Sequence, residues 1–220
     1  MFSALVWLQW KSSRVWIVIA AVVVIALPVV SVVRGWPTDP SAMAQFLARL
    51  EAWSIFYPGL ATTVGIAMAT FAWRADQAGD LVYALTLPIE RWRQVWYRFG
   101  AGLVWIAAVA VVLWVAALVA IAVTPIPASL RSYPNWLALK FALATMSVFA
   151  LAFAGLSLPD RMKRGMAATV VALLMILMVV QTTTLLAGRE VNWLVPLFEA
   201  IVGRTGPLGM LGGRWMLIDV

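Results

Sequence analysis

Seven charges crowd into residues 74–98 of an otherwise oily chain: Arg74, Asp76, Asp80, Glu90, Arg91, Arg93 and Arg98. Guanidinium groups and carboxylates at this density can dock on a complementary protein surface. They can also hold anionic lipid headgroups, each basic residue contributing about 1 kcal/mol near a charged leaflet. Neither is bond-making chemistry, and the rest of the sequence offers no group for that. It has no histidine and no cysteine. A histidine base, a Ser–His intramembrane protease, thiol redox chemistry and Cys/His zinc sites are therefore excluded. No G-x-x-x-x-G-K-[ST] loop, G-x-S-x-G or H-E-x-x-H occurs. The chain is expected to be no enzyme and to bind no metal or cofactor of its own.

The charged stretch has a helical pattern. Pro88 starts it, and Ile89, Trp92, Val95, Trp96 and Phe99 fall within an arc of about 120° at 100° per residue. Glu90, Arg91, Arg93, Gln94, Tyr97 and Arg98 take the other side. One face suits lipid or neighbouring helices; the other presents three guanidiniums and a carboxylate to water.

The elements that must carry this helix follow from composition. Of 220 residues, 64% are hydrophobic and only 11% charged, and the mean hydropathy is +0.96. Soluble domains are about half apolar and about a quarter charged. The expected fold is all-α: one polytopic transmembrane bundle spanning residues 1–220. Five runs, uncharged but for Lys140 in the fourth, are long enough for ~30 Å of hydrocarbon, at 15–33, 54–73, 99–124, 136–158 and 165–187. The 74–98 loop joins the second and third. The net charge of +7 is scattered among spans, which argues against nucleic acid and for orientation in a bilayer. With the N-terminus in the cytoplasm, inner segments hold Lys11, Arg14, Arg74, Arg91, Arg93, Arg98, Arg161, Lys163 and Arg164. Outer segments before the last span hold Arg34, Arg49, Arg131 and Lys140. The excess of basic residues puts the 74–98 loop inside.

Interfacial amphipathic helices complete the expectation. Residues 1–14 read as an N-terminal helix on the membrane surface. A second, over 40–53, starts with Asp39 as N-cap and Pro40 at the first helical position, and gathers Met43, Phe46, Leu47, Leu50 and Trp53 on one face. Trp16, Trp36, Trp53, Trp73, Trp136 and Trp193 fall near span ends, where an indole anchors at the interface. Residues 188–220 carry six charges and the breakers "GRTGPLGMLGG", so they read as a tail or as a candidate irregular sixth element whose backbone protein must bury.

The span interiors lack Asp and Glu, which argues against proton- or sodium-coupled transport. Lys140 lies about one turn inside the fourth span and can snorkel outward. Ala61, Gly65 and Ala69 form a small-xxx-small row, read as internal helix packing ahead of a dimer face. Thr62 and Thr63, with Gln181, Thr182 and Thr183, are candidates for lining a translocation path. Hydrogen bonding within or between helices is the more ordinary role for such residues.

The stretch "FAWRADQAGDLVYALTLPIERWRQVWYRFGAGLVW" resembles the loop between the second and third spans of ABC-2 type transporter permeases. In those permeases an acidic, Gly-containing segment precedes an "sLPisR"-like turn and an amphipathic helix entering the third span. Asp76, Gly79, Asp80, Leu87, Pro88, Ile89 and Arg91 match in order. The resemblance implies a coupling helix docked on a separate ABC ATPase, two permease copies or paralogues over two ATPases, ATP and magnesium held by the ATPase, and export across a bacterial inner membrane. By position, it makes Asp80, Pro88, Glu90, Arg91 and Arg93 the ATPase-facing set. Arg161, Lys163 and Arg164, beside Asp160, would form a secondary contact. It also implies six spans with both ends inside, where the residues themselves support five. A non-catalytic membrane scaffold or assembly subunit with a permease-like fold is the alternative.

Overall fold

The computed structural model describes residues 2–33, 43–54, 56–74, 90–124, 131–159, 161–162, 165, 175, 209–212, 215 and 217–219. These residues are mostly helical. Helix α1 runs Phe2–Pro28 and passes into a π-helical turn, Val29–Val33. Helices α2 (Met43–Ser54) and α3 (Phe56–Arg74) follow. Helix α4 spans Arg91–Val123 and α5 spans Pro134–Ser157. Two short strands, β1 (Arg131–Ser132) and β2 (Ile218–Asp219), pair antiparallel with Arg131 opposite Asp219 and Ser132 opposite Ile218. Among the described residues, four helical stretches are long and apolar enough to cross a membrane: Gln9–Val32, Gln45–Trp73, Trp92–Val123 and Pro134–Ser157. They overlap the first four expected spans. The fifth, 165–187, lies outside the described residues except for Gly165 and Met175.

The surface helix expected over 1–14 and the span expected over 15–33 are one continuous helix. The polar punctuation Lys11–Arg14 does not break it: Lys and Arg are good helix formers, and the Ser12 and Ser13 hydroxyls are satisfied by the carbonyl of Gln9 within the same helix. The helix widens only after Pro28, whose ring removes a ladder donor and crowds the preceding turn. In α2, Phe46 and Leu50 are buried while Gln45, Glu51 and Ala52 are exposed, but Trp53, expected on the Phe46–Leu50 face, is exposed as well; Asp39 and Pro40 lie outside the described residues. Helix α4 ends where Thr124, held extended by the following proline, donates its hydroxyl to Ala120 O at 2.7 Å. Pro134 opens α5, as suits a residue without an N–H at the first helical position.

Two compact units divide the chain: Met1–Phe153 together with Arg214–Val220, and Ala154–Gly213. In the first, α1 and α4 run parallel. The Phe2 ring lies 6.3 Å from Tyr97 and Trp10 stacks on Trp105 at 4.9 Å. Helix α3 runs back against α1, with Trp16 and Phe71 6.4 Å apart. Helix α5 runs back against α4: Phe153 lies 5.4 Å from Phe99, and Trp114 Nε1 donates to Asn135 Oδ1 at 2.7 Å. Successive long helices thus alternate in direction, as consecutive spans must. In the second unit the described residues include the end of α5, helical residues Arg161–Met162 and a short 3₁₀ turn, Gly209–Leu211.

Small residues set the closest approaches. Ala61 and Ala69 are fully buried, and a Cβ at Gly65 would meet the Thr145 carbonyl at 2.9 Å and Val148 at 3.0 Å. The small row therefore faces α5, inside the chain, as expected of packing rather than of a dimer surface. At Gly102 a Cβ would collide with the Phe149 ring, itself fully buried between Phe99 and Phe153. Gly59, by contrast, has nothing within 4 Å. Gly65→Ala is expected to lower stability by about 1–3 kcal/mol through overpacking. Gly59→Ala should leave it unchanged or raise it by about 0.5–1 kcal/mol through helix propensity. Thermal unfolding of both variants in mild detergent checks this; equal midpoints would mean that α3 and α5 do not meet at Gly65.

Candidate functional site: the pole where α3 and α5 end and α4 begins

One end of the first unit collects the chemistry singled out by sequence. Helix α4 begins at Arg91 with Glu90 as its N-cap residue, whose carbonyl accepts the first helical bonds from Arg93 N (3.0 Å) and Gln94 N (3.4 Å). The Glu90 side chain makes no capping bond. Its carboxylate accepts from Trp92 Nε1 at 2.7 Å and pairs with Arg93 Nε at 3.1 Å. Arg93 also lies over the Trp92 ring, 5.3 Å from its centroid. The three residues form one local cluster at a helix N-terminus, where a carboxylate is favoured by the helix dipole. The pair is more than half exposed, so it contributes less than about 1 kcal/mol to folding. Its value is geometric: it holds one cation and one anion at a defined place on the first turn.

Trp92 and Trp96 are 58% and 63% exposed, and Val95 is also exposed. Gln94 and Arg98 are partly buried, and Arg98 lies over Trp73, 5.9 Å from the ring centroid. The apolar arc read from sequence is therefore largely not buried against this bundle; it forms the outer surface of α4, with Phe99 turned into the aromatic cluster and Trp96 edge-on to Phe99 at 5.8 Å. That cluster joins three helices. Phe99 meets Phe149 and Phe153 at 5.1 and 5.4 Å, and Trp73 stacks near Phe153 at 5.1 Å while donating Nε1–H to the Phe153 carbonyl at 3.2 Å. Trp73 was expected as an interfacial anchor and Arg98 as one of the inner basic residues; their mutual contact is invisible in sequence, since it joins residues 25 positions apart at the end of one helix and the start of another.

Of the expected partner-facing residues, Glu90 and Arg93 are placed together. Arg91 is placed as the first residue of α4, its side chain lying outside the described residues, as do Asp80 and Pro88. Arg161 is helical and exposed in the second unit; Lys163 and Arg164 lie outside the described residues. Thr62 Oγ1 donates to Pro58 O at 2.8 Å and Thr63 Oγ1 to Gly59 O at 2.9 Å. Both hydroxyls are satisfied by their own helix, and Thr63 faces outward. Gln181, Thr182 and Thr183 lie outside the described residues. Among the described residues no group of three His, Cys, Asp or Glu side chains is placed to hold a metal.

The arrangement offers directional charge contacts and an exposed indole pair on the first turns of a long, rigid helix. The chain matches no protein-family model, no curated protein and no solved structure.

Trp73→Phe keeps the ring over which Arg98 lies and removes the N–H that reaches Phe153. It is expected to cost about 1 kcal/mol and to lower the unfolding midpoint in detergent by a few degrees. Trp92→Phe, at an exposed ring, should shift it far less. Equal shifts would show that the three-helix cluster does not depend on the indole bond.

Proposed function

We propose that this chain is the membrane-spanning subunit of an ATP-driven exporter of the ABC-2 type, lying in a bacterial inner membrane with its N-terminal end in the cytoplasm. A separate ABC ATPase would hydrolyse ATP with magnesium. The observation that carries this reading is the continuity of α4. Its charged first turns and its span are one helix of 33 residues, Arg91–Val123. A helix without a break passes a push at one end to the other as a rigid body, which a flexible loop cannot do. The sequence has no phosphate-cradling loop and no intraspan carboxylate, so a transport cycle here needs energy from outside the chain.

In this reading Asp80, Pro88, Glu90, Arg91 and Arg93 meet the ATPase, with Arg161, Lys163 and Arg164 as a second contact. The exposed Trp92–Trp96 edge faces lipid, or the second permease copy or paralogue of a dimer. Thr62, Thr63, Gln181, Thr182 and Thr183 remain the proposed lining of the path. The alternative, a non-catalytic scaffold of permease-like fold, draws on the presence of five apolar runs rather than six.

The test is a mild-detergent pull-down from native membranes with the wild-type chain and the Arg91→Glu/Arg93→Glu variant. The wild type is expected to recover an ATPase in equal copy number and to stimulate its turnover. The charge-reversed variant should insert normally yet lose both recovery and stimulation. Recovery of other membrane proteins without an ATPase would favour the scaffold; unchanged ATPase binding in the variant would remove the coupling role from α4.

A further inference from the structure

The two poles of the first unit fix where the chain leaves it and where it returns. It leaves at Phe153, whose ring packs on Phe99 and whose carbonyl accepts from Trp73. That is the pole where α4 begins, the same end at which Phe2 of α1 meets Tyr97. The chain returns at Arg214, and the segment that follows is held at the other pole. Ile218–Asp219 pairs with Arg131–Ser132, between the end of α4 and the start of α5. Tyr133 N donates to Leu217 O at 2.9 Å, and Leu137 N to Tyr133 O at 3.0 Å, so the ribbon is tied into the first turn of α5. Trp215, Leu217 and Ile218 are all buried, and Lys140 Nζ lies 4.6 Å from the centre of the Trp215 ring. Lys140 therefore has a fixed aromatic partner on that side, where sequence alone offered only snorkelling.

We infer that residues 154–213 carry the chain across the membrane once, so that segment 215–219 lies on the opposite side from the start of α1. The intervening unit has about 60 residues. A crossing takes about 20 helical residues, so three crossings would leave none for the turns between them, and two would return the chain to the wrong pole. Within that stretch the sequence holds one apolar run of span length, 165–187. The chain then has five spans, and segment 215–219 is a clasp closing the α4–α5 turn from outside. The three arginines beyond residue 187, Arg189, Arg204 and Arg214, then lie on the clasp side or at its approach. The inside excess of basic residues narrows accordingly, and orientation rests on the segments flanking the first four spans.

This inference needs only that the helices span a membrane and stands apart from any ATPase partner. The chain has no cysteine, so single thiols report without background. Ser3→Cys, Ser132→Cys and Asp219→Cys are treated in sealed vesicles of each orientation with a membrane-impermeant maleimide. Ser132→Cys and Asp219→Cys are expected to react from one side and Ser3→Cys from the other. Labelling of Asp219→Cys from the Ser3→Cys side overturns the single crossing. In the double variant Arg131→Cys/Asp219→Cys the thiols sit on facing residues, about 5.5 Å apart between Cα atoms in a hydrogen-bonded pair, within disulfide reach. A disulfide should form under mild oxidation in intact membranes; its absence overturns the clasp.

Discussion

In hydrocarbon no water is present to satisfy a stray donor, and that constraint shapes most of what this chain does with its polar groups. Hydroxyls turn back on their own helices: Thr62 to Pro58, Thr63 to Gly59, Thr70 to Ile66, Thr124 to Ala120 and Ser147 to Leu143. Each borrows a second lone pair from a carbonyl already in the ladder. An indole N–H sits too far out on its ring to do the same and must look elsewhere. Trp73 reaches the Phe153 carbonyl, Trp105 the Val6 carbonyl at 3.4 Å, and Trp114 the Asn135 side chain. Each of these bonds joins two different helices. Tryptophan, the residue usually read as a marker of the interface, here also stitches the bundle together.

With most hydroxyls satisfied locally, helix-to-helix contact is left to shape. Gly65 lets α3 approach the α5 backbone, and Gly102 makes room for the Phe149 ring. Exact fit matters more here than in water, because lipid tails solvate Leu and Val as well as another helix does. Large apolar residues such as Val15, Trp16, Val22, Val111 and Val119 accordingly remain on the outer surface. Thr145 departs from the pattern: its Oγ1 is buried without a partner, although its carbonyl lies at the Gly65 approach.

The span-length helices were legible in sequence because a run of apolar residues long enough to cross a membrane has few other solutions. In α2, Phe46 and Leu50 repeat at helical spacing and stay buried, but Trp53, expected on the same face, is exposed. The continuity of α1 was not legible. Lys11, Ser12, Ser13 and Arg14 look like a boundary by polarity, yet none of them is a helix breaker. At the α4 pole, sequence found Glu90, Arg91 and Arg93 as a charged set but could not see that Glu90 spends its carboxylate on Trp92 and Arg93. Nor could it see Arg98 over Trp73 or Lys140 over Trp215. Those pairs lie 25 and 75 residues apart, and no local periodicity encodes them.

The two ends of α4 are held in different ways. At its start the helix is held by rings: Phe99, Phe149, Phe153 and Trp73 in one cluster, with Phe2 against Tyr97. Ring contacts can slide by small amounts, because dispersion contacts have no fixed direction. At its other end, Trp114 is hydrogen-bonded to Asn135, and the turn that follows is closed by a two-stranded ribbon. Those are directional bonds with a narrow range of allowed geometry. Midway along, Trp105 adds a directional bond to the Val6 carbonyl of α1, so α4 is tied by hydrogen bonds in its middle and at its far end and by ring contacts over its first turns.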